Sequence, residues 1–194
     1  MLIFKILLAI IILIQSVIRI IYQQRYAVTH AKKETEKEPN REKWLVRYVA
    51  ASYFIPAMIW LFTDWLEFAQ MPFPDWLRWV GFLISLAGVL YFYMVHQQLG
   101  DNWSPVLEIR PKHELIITGL YKYIMHPMYS SMTLGLIGMT LLGANWLIFL
   151  VVSLATFLLF VVRIPDEEQL MIDQFGKQYQ DYRRRTKRLI PYIF

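Results

Sequence analysis

The residues of this chain whose types could do chemistry gather in two short stretches. One runs from 108 to 129 (EIRPKHELIITGLYKYIMHPMY) and the other from 163 to 168 (RIPDEE). Both adjoin long apolar segments, and an ionisable side chain at the end of such a segment is a candidate functional residue, because leaving it in lipid is costly. Arg163 fits two interpretations at this stage, an anchor that reaches towards interfacial water or a residue that binds an anion.

The second stretch predicts a useful geometry around Pro165. Proline lacks an amide proton and disfavours helical geometry at the preceding residue, so the helix should kink or restart there. If it kinks without unwinding, Arg163 and Glu167 are four residues apart and share one helix face. If it restarts, the carboxylates of Asp166, Glu167 and Glu168 suit the first helical turn, where negative charge is favourable.

The sequence MHPMY, residues 125 to 129, predicts the start of a helix. Proline is favoured in the first helical turn, so Pro127 should begin the fourth apolar segment. The free amide groups of that turn could hold an anion such as a carboxylate. His126 and Tyr129 taken alone are each typical of a membrane interface, so only the combination is informative.

Several familiar chemistries are excluded. The chain has no cysteine, which removes thiolate nucleophiles and thiolate metal sites. His113-Glu114 opens like a zinc-protease motif, but Ile117 stands where the second histidine should be. No histidine pair has helical metal-ligand spacing, so no metal site is predicted. Neither a Gly-x-Gly dinucleotide loop nor a Walker A loop occurs in the sequence.

The elements that must position these residues are membrane helices. Of the 194 residues, 57% are hydrophobic, and they include 12 Phe, 12 Tyr and 7 Trp, which is typical of a membrane protein. The first apolar window is interpreted as a retained helix rather than a signal peptide, because no small-residue cleavage site follows it. We predict an all-α integral membrane protein with about five transmembrane helices, since four or five windows approach or exceed the length needed to cross a hydrocarbon core about 30 Å thick. The windows are 2–22, 44–66, 76–97, 128–144 and 146–162.

The basic residues predict an orientation. The connection 23–43 and the tail are rich in Lys and Arg, whereas the connection 67–75 has neither. With five crossings every basic segment faces the cytoplasm, which places the amino terminus outside and the carboxyl terminus inside. This bias and anionic lipid headgroups account for the net charge of +5 without a nucleic-acid partner. Residues 32–42 (KKETEKEPNRE) should form a solvated loop.

Two patterns predict how the helices pack. Only residues 143–145 separate the fourth and fifth helices, so these two should form an antiparallel hairpin. Apolar residues of the tail recur at helical spacing and predict a helix that lies on the membrane surface or caps the bundle. Small residues that allow close approach of the third and fourth helices are Gly81, Ser85, Gly88, Ser131, Gly135 and Gly138.

In this order and spacing, the motifs resemble those of the isoprenylcysteine carboxyl methyltransferases and the related membrane phospholipid N-methyltransferases. The segment HELIITGLYKYIMHPMYSS is followed, after one helical hairpin, by RIPDEEQLMIDQFGKQYQDY and a terminal RLIP. The resemblance covers 100–194, and the length and five-helix pattern are similar to the small prokaryotic members. Met125 stands where the family has an arginine before His-Pro. The matching residues are Gly119, Tyr121, His126, Pro127, Tyr129, Glu167, Glu168, Phe175, Gly176, Tyr179 and Tyr182.

The resemblance implies a pocket for S-adenosylmethionine, with S-adenosylhomocysteine as the product, built without a Rossmann domain and completed by a cytoplasmic C-terminal helix. It divides the chain into three N-terminal helices (1–99) and a catalytic region (100–194). Its two expected catalytic residues are Arg163, matching a family arginine that receives the substrate carboxylate, and Glu167, which would accept hydrogen bonds from the cofactor. The implied cofactor-binding residues are Glu108, His113, Glu114, Leu115, Ile116, Gly119, Tyr121, His126, Pro127, Met128, Tyr129 and Glu167.

The implied reaction is methyl esterification of a lipophilic acid, such as a C-terminal prenylcysteine, in the cell membrane of a prokaryote. A carboxylate is ionised at neutral pH and needs no general base, so catalysis would depend on positioning in a site sheltered from water. Two other functions stay open. A lipid-headgroup N-methyltransferase shares much of the motif set, and a non-catalytic membrane scaffold would use the tail helix to bind partners.

Overall fold

The computed structural model describes residues 1–30, 40–108 and 113–190. Within these residues the chain forms six α-helices and three short 3₁₀ helices. The first five α-helices correspond to the five predicted apolar windows, but α2 ends at Phe62, four residues before the end of its predicted window. The bounds of the six α-helices are Leu2–His30 (α1), Asn40–Phe62 (α2), Asp75–Leu99 (α3), Pro127–Gly143 (α4), Trp146–Phe175 (α5) and Lys177–Arg185 (α6).

Four of these helices are long and apolar enough to cross a membrane, and they are α1, α2, α3 and α5. Helix α4 has 17 residues. At 1.5 Å per residue it is about 26 Å long, slightly shorter than a typical hydrocarbon core. The chain is therefore an integral membrane protein, and the fivefold crossing with its two terminus orientations remains a prediction.

The predicted close approach of α3 and α4 is confirmed. A Cβ atom built on Gly81 would lie 2.5 Å from the Leu142 backbone nitrogen, and one on Gly88 would lie 2.9 Å from the Gly135 nitrogen. A Cβ on Gly138 would collide with the backbone of Ser85. Backbone therefore meets backbone along a glycine seam, which we define as Gly81, Ser85, Gly88 and Gly138.

The predicted hairpin of α4 and α5 turns through Ala144 and Asn145. Ala144 adopts a left-handed conformation with φ of 49°. Asn145 caps α5, because its Oδ1 accepts a hydrogen bond from the Ile148 amide at 3.1 Å. Its Nδ2 donates to the Leu66 carbonyl at 2.9 Å, which ties the turn to the connection between α2 and α3.

Helix α5 continues through Pro165 to Phe175, so the predicted restart at this proline is wrong. The helix ends instead at Gly176, whose φ of 51° favours glycine, and α6 begins at the next residue. Asp166 and its two acidic neighbours therefore lie inside a helix rather than in a first turn. The continuity of α5 is what keeps Arg163 and Glu167 one turn apart on the same face.

The predicted loop 32–42 lies largely outside the described residues, but its end differs from the prediction. Helix α2 already starts at Asn40. The side chain of Glu42 is only 12% exposed, so this carboxylate is not part of a solvated loop. Its Oε1 accepts a hydrogen bond from the Leu107 amide at 2.7 Å, which draws the segment after α3 against α2.

The segment after α6 returns to the start of α4. Ile124 and Lys187 form a parallel β-bridge, and the amides of Met125 and His126 donate to the carbonyls of Lys187 at 2.7 Å and Arg188 at 3.0 Å. The hydroxyl of Tyr182 on α6 donates to the Tyr121 carbonyl at 2.7 Å. The tail therefore caps this end of the bundle and fixes the position of the His126-Pro127 pair.

Candidate active site

A cavity of about 340 Å³ lies among the long helices and the segments that precede α4. Its size is that of a small-molecule site. Arg163 and Ile148 both line it and lie about 22 Å apart along α5, so it runs through much of the bundle. It brings together the predicted residues Glu108, His113, Glu114, Leu115, Ile116, Tyr121, His126, Met128, Tyr129, Arg163 and Glu167.

Two predicted residues, Gly119 and Pro127, do not line the cavity and shape its wall through the backbone. Gly119 has a φ of 58°, and a Cβ there would collide with the side chain of Gln98. That side chain accepts from the Leu120 amide at 2.9 Å and donates to the Thr118 carbonyl, which fixes the turn. Pro127 occupies the first turn of α4, as predicted.

His126 is buried between two carboxylates of α5, rather than placed at an open rim. Its Nε2 lies 3.3 Å from Oε1 of Glu168, and its Nδ1 lies 3.7 Å from Oε1 of Glu167. The longer distance is that of an ion pair without a hydrogen bond. Burial lowers the pKa of His126, but the contacts with Glu167 and Glu168 outweigh burial and raise this pKa to about 9. The imidazole is therefore a cation at neutral pH.

The two carboxylates have different surroundings. Glu168 is 4% exposed and makes two contacts with Arg188, from Nη2 and Nε at 3.0 Å each. Glu167 lines the cavity, with a side chain 35% exposed, and its Oε2 accepts a hydrogen bond from the Tyr129 hydroxyl at 2.7 Å. Glu168 thus ties the tail to α5, whereas Glu167 offers an oriented anion to a ligand.

Arg163 projects into the cavity one turn before Glu167. Its Nη2 donates to the Pro105 carbonyl at 3.2 Å and lies 3.6 Å from Oε1 of Glu42. Its buried Nε has no hydrogen-bond partner among the residues that the structure describes. Part of the guanidinium is therefore held in place while another donor remains available to a ligand.

Tyrosine rings complete the polar end of the cavity. Tyr121, Tyr129, Tyr179 and Tyr182 all line it. Burial raises the pKa of Tyr121, Tyr179 and Tyr182 above the ordinary tyrosine value, so these hydroxyls remain neutral. Neutral aromatic faces can stabilise a cationic ligand.

Away from this end the cavity becomes an apolar shaft. Val49 on α2, Leu136 and Met139 on α4 and Val152 on α5 line it. A cluster formed by Phe4, Leu8, Trp60 and Leu142 closes the opposite end of the bundle. The shaft could hold a lipid chain while its polar end reaches Arg163.

Two polar residues of the site were not predicted from the sequence. Glu42 lay in a mixed-charge run, and only its contacts with Leu107 and Arg163 distinguish it. Arg19 on α1 lines the cavity. It could have been found, because an arginine inside an apolar window is a functional candidate by default.

Together, the helical fold and the cavity define the class, an integral membrane protein with a cavity of small-molecule size that has a polar end and an apolar shaft. The sequence model of the Isoprenylcysteine carboxyl methyltransferase (ICMT) family matches residues 79–173. This match spans 95 of the 194 residues, and over that stretch the chain is similar to this family.

Named relatives point to the same family. The chain is 27% identical over 149 residues to a rice protein called "Probable protein-S-isoprenylcysteine O-methyltransferase". The match covers 76% of this chain and 77% of the relative. It is 28% identical over 140 residues to the Xenopus laevis protein-S-isoprenylcysteine O-methyltransferase, covering 68% of this chain and 49% of the relative.

A solved structure supports the fold. The eukaryotic intramembrane Ras methyltransferase ICMT superposes with a TM-score of 0.58 at 22% identity. The match covers 90% of this chain and 63% of that chain, so this chain spans less than two thirds of the solved protein.

Proposed function

We propose that the protein transfers a methyl group from S-adenosylmethionine to the carboxylate of a lipophilic acid such as a C-terminal prenylcysteine. The observation that carries this proposal is the pairing of Arg163 and Glu167. They lie one turn apart on α5 and line one cavity, which continues as an apolar shaft. A cation for the acceptor and an anion for the donor are thus held side by side, next to space for a lipid chain.

The residues at the polar end fit S-adenosylmethionine. Its amine and hydroxyl groups are donors, and the oriented carboxylate of Glu167 is a suitable acceptor. Its sulfonium cation suits the neutral rings of Tyr121 and Tyr129. When bound, S-adenosylmethionine supplies an electrophilic methyl group. We propose His113, Glu114, Leu115, Ile116, His126 and Met128 as the rest of this binding surface, with Glu108 at its edge and Gly119 and Pro127 supporting it.

Arg163 would receive the acceptor carboxylate. Its planar fork can meet both carboxylate oxygens, and its contacts with Pro105 and Glu42 fix its orientation before the substrate arrives. Positioning of this kind accounts for a large part of many enzymatic rate enhancements. No side chain needs to remove a proton, because the acceptor is already ionised at neutral pH.

The two regions suggested by the sequence act as one unit in this proposal. Residues of α1 and α2 line the cavity together with the region 100–194, so the N-terminal helices contribute to the acceptor site. We propose that the polar end faces the cytoplasm of a prokaryotic cell and that membrane lipids surround the shaft, because the basic segments lie on this side in a five-crossing topology.

The direct test is incubation of the purified protein with methyl-labelled S-adenosylmethionine and a prenylcysteine acid. We expect label that becomes volatile on treatment with alkali, because a methyl ester is base-labile. Label that resists alkali would indicate an amine acceptor instead. Absence of S-adenosylmethionine binding in nanodiscs would contradict both enzymatic functions and favour a scaffold.

A further inference from the structure

Arg19 places a second guanidinium on the cavity. It lies on the same face of α1 as Gln15 and Ser16, and all three residues line the cavity. Leu8 and Ile12 lie on the same face of α1 and also line the cavity. This face therefore runs along the apolar shaft and ends at Arg19. Arg19 belongs to a helix apolar enough to cross a membrane.

Arg19 has no counterion in the part of the chain that the structure describes. Among residues 1–30, 40–108 and 113–190, none forms a hydrogen bond or ion pair with its guanidinium, and the titratable groups within electrostatic range of it are Arg163 and His96. Lys5 on the same helix differs, because it pairs with Asp64 at 3.8 Å. A cation with no counterion among the described residues, on the same cavity as a second cation inside a membrane bundle, is costly, and such a residue is expected to have a ligand.

We propose that Arg19 is a second binding residue for the acceptor carboxylate, which it shares with Arg163. This inference rests on the proposed function. A carboxylate has two oxygens and about four acceptor positions, more than one guanidinium fills. Arg163 already directs Nη2 towards Pro105 and Glu42, whereas no described residue occupies the donors of Arg19, which can serve the remaining positions.

The shared anion site explains how acid and ester are distinguished. A bound carboxylate neutralises the repulsion between Arg19 and Arg163. A methyl ester is uncharged and leaves the repulsion between the two guanidinium groups uncompensated. The acid should therefore bind more tightly than its own ester, which favours product release.

The proposal also predicts an unusual effect on stability. Replacing an uncompensated buried charge by an apolar side chain of similar size removes a desolvation cost. Arg19→Leu should therefore leave the melting temperature of the ligand-free protein unchanged or raise it. A residue with a purely structural role would give the opposite result.

The test measures binding of a farnesylated cysteine acid and of its methyl ester to the full chain in nanodiscs. For Arg19→Leu we expect at least a tenfold loss of affinity for the acid and less than a twofold change for the ester. Arg19→Lys should retain most of the acid affinity, because it keeps the positive charge. The control is Arg47→Leu, which removes an exposed cation of α2 outside the cavity lining and should change neither affinity.

Three results would overturn the proposal: equal losses for acid and ester in Arg19→Leu, an acid affinity within twofold of the wild type, or a lower melting temperature. Failure of the proposed function gives a different pattern. A wild-type protein that transfers no methyl group, yet binds the acid in an Arg19-dependent way, retains the anion site without the reaction. A wild type that binds neither probe overturns both.

Discussion

Helix α4 presents two faces that are built in different ways. Towards α3, the glycine seam brings backbone against backbone, and Gly138 leaves no space for even a Cβ atom. Towards α1, α2 and α5, side chains such as Tyr129, Met132 and Leu136 line an open cavity. The same short helix thus serves as a fixed support on one side and as the wall of a binding site on the other.

The comparison indicates how an intramembrane site can be preorganised without a soluble domain. Association of membrane helices depends on close van der Waals contact, which the seam supplies. The face that lines the cavity lacks such close contact, so its polar side chains must be held in place by other interactions. These are the ion pair of Glu168 with Arg188 and the backbone pairing of 124–126 with 187–188 in the tail.

The largest expected effect comes from breaking the seam. In Gly138→Ala the new Cβ would collide with the Ser85 backbone, which cannot shift without a large cost in free energy. We expect a loss of about 3 kcal/mol, seen as a drop of roughly 10 °C in melting temperature in detergent. Gly135→Ala is the matched control, because its Cβ would meet only the Gln15 amide at 3.4 Å. Equal shifts in the two variants would contradict the difference between the two faces.

The next effect concerns catalysis at the wall. Arg163→Ala should reduce kcat at least about 100-fold, because the acceptor carboxylate loses its oriented partner. Affinity for S-adenosylmethionine, measured by titration, should change less than about twofold. Arg163→Lys should recover only part of the rate, since an ammonium group lacks the planar fork. Parallel loss of turnover and cofactor affinity would show that Arg163 supports the pocket instead.

A smaller effect is expected at the donor side. Glu167→Gln keeps the shape of the side chain but removes its charge, so cofactor affinity should fall about tenfold, or 1.4 kcal/mol. The control is Asp166→Asn, which removes a charge from the neighbouring, exposed position outside the cavity lining. Unchanged cofactor affinity in Glu167→Gln would remove Glu167 from the site.

The sequence predicted the features that depend on local chemistry. Apolar windows located the helices, small residues located the close contact of α3 and α4, and Pro127 located the start of α4. It was less informative where long-range contacts decide the structure. Pro165 has a strong local preference that α5 overrides. The pairing of Ile124 with Lys187 and the burial of Glu42 depend on partners 63 and 65 or more residues away, and no local pattern encodes them.

The last effect separates the two faces of α4 by their response to pH. The seam contains no titratable side chain, whereas the wall is supported by charged His126, whose pKa of about 9 exceeds the ordinary histidine value of about 6.5. The folded protein therefore keeps a proton that the unfolded chain releases between these pH values. The stabilisation is complete below pH about 6.5 and is lost as pH rises through about 9. We expect the melting temperature to fall over this range, by roughly 2–4 °C for each kcal/mol of stabilisation that is lost. His126→Asn should remove this part of the slope, and Gly135→Ala should keep it. Wild type and His126→Asn profiles that run parallel would show that charge on His126 does not support the wall.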